Sequence, residues 1–522
     1  MKSTILYNIK SFVIITLMIT GVGCSDLKEK PDFINPDTFY KSANELALGV
    51  NAVYDDLNSG GNGYFYDRYV FECLVGYQVG WEKGPLQYNI GNVNPADEYI
   101  EAFWGICYRS INRANAIIEV ADAMKDPTNE ELIKRVKGEA LFLRSFYYYS
   151  LLSYFDSAPI TTKSTQNIEE LPTNSGGKRA LIDQIYADAT AAADLLPASH
   201  TGVNIGRATK WAAKSILMKA QLWDEKWAEA KATGEDIINN SGLKLFDDFA
   251  FNFDLTHENQ GERIFEAQVS ASANASEYNV HSAHFNPEDF PSQLGGSGWS
   301  WLSATQEFRA AYDKNDKRIA GTFVESYPTG RFGLIDGAYP IVHWSATADY
   351  NLSRFGGVVK TDANPRDPSQ LVFGKAWAAK IVELDKSNAA TEKNTLYIRL
   401  SDILLGHSEA CNEGGQGDAF ASINTVRARA GLQPLKGLSQ KALRDAIIHE
   451  RMQEFVFEQV MYPELRRKSK FGGAEDYLGD QIKHFAEKYK IDRAPKAKDY
   501  VLPLPLKELL GNPNVKQNAE WE

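Results

Sequence analysis

Two sets of aromatic residues fall in expected loops, where a core role is less evident. Tyr64, Tyr66, Tyr77 and Trp81 fall within GGNGYFYDRYVFECLVGYQVGWEKG. Trp299 and Trp301 follow the bend Gly295-Gly296-Ser297-Gly298, with Tyr339 and Trp344 further along. Flat rings of this kind bind the C–H faces of sugars while nearby polar side chains bond the hydroxyls. Peptides use similar platforms with different polar partners. Cores use the same rings, so each residue taken singly also reads as packing. As a set, Tyr64, Tyr66, Trp81, Trp299, Trp301 and Trp344 are the candidate ligand-binding group.

Other chemistries find less support. Nucleophilic catalysis needs an activated Ser or Cys, and neither a G-x-S-x-G elbow nor a Cys/His signature is present. Phosphate-cradling glycine loops are absent as well. Glycosidases need two carboxylates about 5–9.5 Å apart, and none of the 68 acidic residues is singled out as such a pair. His281 and His284, with Glu288 nearby, are the best metal candidates. They lack a third fixed ligand and read as surface or loop-packing histidines. No metal, no cofactor and no catalytic residue is therefore expected. The net charge of −12 disfavours phosphate backbones, so nucleic acid is not an expected partner. Four cysteines in 522 residues make no disulfide scaffold, and Cys73, Cys107 and Cys411 read as buried small side chains.

The elements that must position the aromatic sets follow an N-terminal address. Lys2 and Lys10 precede an uncharged, mostly apolar run from Phe12 to Gly23. That run is shorter than the roughly 20 residues a spanning helix needs and suits a signal peptide over 1–23. Gly21-Val22-Gly23-Cys24 resembles a bacterial lipobox, which makes Cys24 the expected lipid anchor and residues 25–35 a polar tether. More than one acyl chain is needed for stable anchoring, and a lipidated cysteine supplies them.

Residues 24–522 read as one mainly α domain. Leu46, Val50, Val53 and Leu57 share one helix face, and helical patterning continues to about 240. Residues 138–155 are apolar on most sides and so expected to be buried. The segments 207–223 and 225–240 resemble one tetratricopeptide unit, with Trp211, Trp223 and Trp227 in its core. A second helical block spans about 395–470, and the two blocks should stack as a superhelix. Between them, about 245–390 is a loop-rich, partly β insert, with 263–270 and 371–377 as candidate strands. A long loop-rich insert of this kind is usually functional.

Several ordered segments together resemble the SusD/RagB outer-membrane nutrient-binding lipoproteins. They are INRANAIIE (111–119), GEALFLRSFYYYSLLSYFDSAPI (138–160), RLSDILLGHSEACNEGG (399–415), INTVRARAGL (423–432), IIHERMQEFVFE (447–458) and VLPLPLKELLGNPNVKQNAEW (501–521). After Glu458 the family usually has Gly, then Arg and Asp, where this chain has Gln459, Met461 and Glu464 before Leu465-Arg466-Arg467. That departure bears on local packing. The resemblance implies a tetratricopeptide-like helical scaffold, a lid role over a SusC-like TonB-dependent transporter, and an oligosaccharide ligand handed on unchanged. The alternatives are peptide capture of the RagB kind and a lipid-anchored glycoside hydrolase.

Overall fold

The computed structural model describes residues 40–58, 64–80, 83–164, 171–269, 281–294, 298–352, 357–382 and 392–522. Cys24, the signal segment and Trp81 lie outside them. The Leu46–Leu57 periodicity forms α1 (Ala43–Asp55), begun by Ser42, whose side chain accepts from the Glu45 amide. There follow α2 (Tyr64–Glu72), β1 (Gln78–Gly80), α3 (Lys83–Asn89), α4 (Glu98–Ala123) and α5 (Glu130–Tyr154). Asp97 caps α4 by accepting from the amides of Tyr99 and Ile100. In α5 every residue from Gly138 to Tyr154 is buried, as the lack of a polar face requires. Next come α6 (Gly177–Leu195), α7 (Lys210–Trp223) and α8 (Trp227–Asn240). Trp211 and Trp223 are buried and Trp227 half-buried.

The insert holds β2 (Arg263–Ala267), α9 (His281–Phe285), β3 (Leu302–Ala304), α10 (Gln306–Ala310), α11 (Arg318–Thr322), β4 (Ser326–Pro328), β5 (Ile341–Trp344) and β6 (Val372–Phe373). Then β7 (Thr395–Arg399) leads into α12 (Leu400–Gly414), α13 (Ala419–Arg429) and α14 (Gln440–Phe455). Three further helices, α15 (Met461–Lys468), α16 (Tyr477–Tyr489) and α17 (Leu506–Gly511), carry helical structure past 470. Among the described residues the strands make three small sheets: β1 with β3, β2 with β7, and β4-β5-β6. Antiparallel pairing of β2 with β7 ties the start of the insert to the entry of the second block.

The two blocks meet where α7 and α8 pack on α12. Glycine makes this approach possible: a Cβ at Gly234 would lie 3.3 Å from His407 Cβ, and one at Gly406 would lie 3.1 Å from Leu222 Cδ1. One hydrophobic core runs from Ala43 to Val515 through both blocks and the insert. Cys73, Cys107 and Cys411 are free thiols within the packed interior. No helix among the described residues is long and apolar enough to cross a membrane.

One reading needs correction. The segment around Tyr64 and Tyr66 is helix α2, not a loop. Its aromatic residues and Val70 are indifferent helix formers, so propensity gives no signal there. Burial of Tyr64, Tyr66, Tyr69, Val70 and Phe71 fixes the helix instead.

Beneath the insert lies a buried ion network centred on Glu454 in α14. Its carboxylate pairs with Arg318 (3.0 Å), Arg399 and Arg429. Arg318 also binds Asp316 and Glu450, Arg399 binds Glu458, and Arg429 binds Glu262. A neighbouring network joins Arg451 to Asp402 and Glu464, and Arg467 to Glu409 and Glu464. Glu464, at one of the departures from the family pattern, thus carries two ion pairs. Burial alone would raise these carboxyl pKa values. Arg429, Arg399 and Arg318 overcome it and hold Glu454 well below the usual range. Arg467 and Lys468 hold Glu409 down at about 2 against the same burial.

A depressed carboxyl pKa contributes stability that is present above the unfolded value and lost as pH falls through the folded one. The melting temperature should therefore drop steeply between about pH 4.5 and pH 2. Glu454→Gln should cost about 3–5 kcal/mol at pH 7, because three buried guanidiniums lose their shared carboxylate. It should also flatten the acid limb, which thermal melts from pH 2 to 7 would show.

Candidate ligand-binding site

The insert's tryptophans are set by backbone bonds to α9. The Trp299 amide donates to the Ala283 carbonyl (2.7 Å) and the Trp301 amide to the His284 carbonyl (2.8 Å). Between them Ser300 takes a left-handed conformation (φ 57°), which lets amides two residues apart meet successive carbonyls. Glycine is required at the entry: a Cβ on Gly298 would lie 2.2 Å from the Pro287 carbonyl oxygen. Further along, β3 pairs antiparallel with β1, placing Leu302 opposite Gly80 and Ala304 opposite Gln78. The two aromatic sets seen in the sequence are thereby joined by one ladder.

The result is a four-ring cluster. The Trp299 and Trp301 rings lie 5.0 Å apart at 37°. Each is 4.9 Å from the His284 imidazole, edge-on or nearly so. Behind His284, the Tyr66 phenol stacks at 4.0 Å and 28°. Tyr66 and His284 are fully buried, whereas both indoles are half-exposed. The two indoles are therefore the rings of the cluster left open to solvent, and the histidine and tyrosine form a rigid backing. A tilted pair of indoles on a packed wall offers stacking surface at little ordering cost.

The remaining candidates go elsewhere. Tyr64 is a core residue: it stacks on Phe103 at 5.4 Å and its hydroxyl bonds Ser150 at 2.6 Å. Tyr77 is buried and donates to Glu72 at 2.5 Å. Trp344, on β5, lies under the Arg309 guanidinium at 4.3 Å and donates its Nε1–H to the Gly374 carbonyl. It braces the three-stranded sheet and takes no part in the cluster. Tyr339 donates to Gln293, in the turn between α9 and Trp299. Trp81 follows Gly80 into residues outside the described set.

The expected packing role of His284 is the one it takes, as a buried ring against Tyr66, Trp299 and Trp301. Its signal was the apolar context Ala283-His284-Phe285, which buries one face of a short helix. Among the described residues, no group of three or more His, Cys, Asp or Glu side chains is arranged to hold a metal ion.

Next to Tyr66 on α2, Asp67 is fully buried and neither carboxyl oxygen has a hydrogen-bond partner among the described residues. Burial, reinforced by Asp97 and Glu98, pushes its pKa well above the usual carboxylate range. A raised carboxyl pKa makes folding weaker as pH climbs from the unfolded value toward the folded one. Asp67→Asn should thus raise stability at pH 8 by on the order of 1 kcal/mol, and by less at pH 4. Equal shifts in melting temperature at both pH values would contradict this account of the site's wall.

Known proteins share this architecture. A sequence profile of the SusD family matches residues 261–521. A second profile, described as starch-binding associating with the outer membrane, matches residues 27–222. A SusD-like protein of Formosa agariphila is 26% identical over 97% of this chain and 98% of its own. One from Bacteroides ovatus is 23% identical, over 86% and 80%. The crystal structure of a SusD superfamily protein from Bacteroides vulgatus superposes with a TM-score of 0.74 at 24% identity, covering 93% of this chain and all of that one. A laminarin-binding SusD-like protein superposes with a TM-score of 0.71 at 23% identity, over 92% of this chain and all of that one. With half its length matched by the family profile and the mainly helical, tetratricopeptide-like fold in common, the chain belongs to the SusD family.

Proposed function

We propose that this protein captures a neutral oligosaccharide at the cell surface on the Trp299–Trp301 platform. It then hands the glycan, chemically unchanged, to a SusC-like TonB-dependent transporter. The observation that carries the reading is the half-exposed indole pair, held at 5.0 Å against buried His284 and Tyr66. Such a pair fits the alternating C–H faces of a sugar chain and supplies neither a nucleophile nor a proton-transfer pair, in keeping with a binding role. The laminarin-binding neighbour of the same fold favours a neutral glucan among possible ligands. The profile's association with the outer membrane favours attachment there through a lipid on Cys24, with residues 25–35 as tether.

Calorimetric titration of residues 25–522 with a panel of neutral oligosaccharides, laminarin fragments included, tests the platform. One glycan class should bind saturably and be recovered uncleaved. Trp299→Ala and Trp301→Ala should each weaken it by about 2 kcal/mol, roughly 30-fold in Kd. Trp344→Ala should leave the affinity unchanged. Binding of peptides alone, lost in high salt, would replace this reading with RagB-like capture. Release of reducing ends would replace it with hydrolysis.

The anchor is tested separately. Cys24→Ser in the full chain should move the protein from the membrane fraction to the soluble one, and retention in the membrane would sink the lipid assignment.

A further inference from the structure

A large cleft lies along one stripe of α4, and its lining shares no residue with the aromatic platform. Glu101, Gly105, Tyr108 and Asn112 recur at helical spacing and form one wall of a cleft of about 1030 Å³. The facing walls are the extended chain at Pro159–Ser164 and the α17 region at Pro505–Asn512. The volume is at the upper end of the roughly 300–1,000 Å³ usual for ligand sites. From Glu101 to Asn112 the helix advances about 17 Å, room for more than one sugar ring.

Three features suit the cleft to a ligand. First, its aromatic floor is locked. Trp104, 4% exposed, donates its Nε1–H to Glu508 at 3.2 Å, and Tyr108 donates to the Pro159 carbonyl at 2.7 Å. The two rings lie 4.9 Å apart at 40°, so binding need not immobilise them. Second, Gly105 is exposed in mid-helix, and a Cβ there would meet no described atom within 4 Å. Glycine in a helix interior weakens it relative to alanine, yet no packing among the described residues calls for the missing side chain. The space it leaves opens onto the cleft. Third, the charges cancel: the lining carries Glu101 and Glu508 against Lys163 and Lys507, and Lys507 pairs with Glu101. The uncharged polar lining is hydroxyl and amide, from Asn112, Thr162, Ser164 and Asn512, with Ser164 held by Glu119 and Asn512 by the Pro172 carbonyl. Such a lining matches sugar hydroxyls and offers no field for an ion.

We propose that this cleft is a second carbohydrate groove, separate from the Trp299–Trp301 platform, that takes a neutral, hydroxyl-rich chain. The proposal rests on the glycan-capture reading. It implies that a polysaccharide can be held at two places on one molecule, which raises retention of polymers above that of short oligosaccharides.

Native gels cast with soluble neutral polysaccharides (laminarin, starch and xyloglucan), with polygalacturonate as the anionic control, separate the outcomes. Four proteins are compared: wild type, Gly105→Trp, Trp299→Ala/Trp301→Ala, and Gly105→Ala as a fold control. Gly105→Trp should weaken retardation in whichever neutral gel retards wild type, by about tenfold in apparent Kd. Gly105→Ala, too small to block the cleft, should not, and both should melt no lower than wild type. Combining Gly105→Trp with the platform variant should abolish what either leaves. If the platform variant loses retardation and Gly105→Trp keeps it all, the groove proposal is overturned while capture at the platform stands. If polygalacturonate alone retards wild type, or no gel does, both readings fall together.

Discussion

The structure depends on a carboxylate that three arginines share. Glu454 is fully buried, and each of its partners comes from a different element: Arg318 from α11, Arg399 from β7 and Arg429 from α13. Ions this deep lose their hydration, and the loss is recovered only if nearly every donor and acceptor finds a partner. Here the surrounding charges are largely matched, and rings cover the guanidiniums. Arg399 lies 4.3 Å over Phe455, and Arg429 lies 4.8 Å over Phe249. A greasy core would tolerate many registers between the insert and the second helical block. A set of ion pairs converging on one carboxylate tolerates few, so the network sets where the insert sits.

That placement is relayed to the platform through the chain just after α14. The Phe457 carbonyl accepts from Tyr69 at 2.6 Å and the Gln459 carbonyl from Arg68 at 3.2 Å, both donors on α2. On the same helix Glu72 accepts from the Tyr462 amide at 3.1 Å and from Tyr77. Burial pushes the Glu72 carboxyl up to about 7, with those donors opposing it. Helix α2 is thus clamped to the 457–462 segment on one side and presents Tyr66 to His284 on the other. Both Phe457 and Gln459 adopt positive φ (66° and 60°). The resemblance placed a family glycine at the position of Gln459, and the left-handed backbone there gives that preference its physical reason. Gln459 holds the same turn with a buried side chain, so the departure alters packing and leaves the path of the chain intact.

Much of the helical scaffold was legible because its signal is periodic. The stripe Leu46-Val50-Val53-Leu57 and the all-round apolar run in α5 each dictate one conformation and one burial state. The second block's charged positions were visible as motifs, but their pairing was not: Glu450, Arg451 and Glu454 lie on one helix yet serve two separate networks. The site was legible only in part. Trp299 and Trp301 stood out because glycines precede them, and glycine marks backbone that must pass close to something. Tyr64 and Tyr66, two residues apart on α2, face different surroundings, one the core and one the platform. No local pattern separates them, because the partners that decide, Phe103 and His284, lie far away in the sequence.

The platform's construction also explains why its two exposed rings need so much buried structure behind them. A tryptophan on a free loop gains stacking energy from a sugar and loses part of it in ordering the loop. Here the ordering is completed during folding. Trp299 and Trp301 are tied by their amides to α9, His284 fills the space beneath both, and Tyr66 stops the imidazole from turning away. The cost is carried by neighbours such as Asp67, a carboxyl buried beside Tyr66 without a hydrogen-bond partner among the described residues. A buried polar atom of this kind is tolerated where the surrounding packing gains more than the atom loses. The arrangement favours a ligand that arrives with its own shape, because the rings do not rearrange to meet it. On the proposed capture reading, specificity would come from the angle between two indoles set 37° apart, and would select among glycans by the bend of the chain more than by the identity of single hydroxyls.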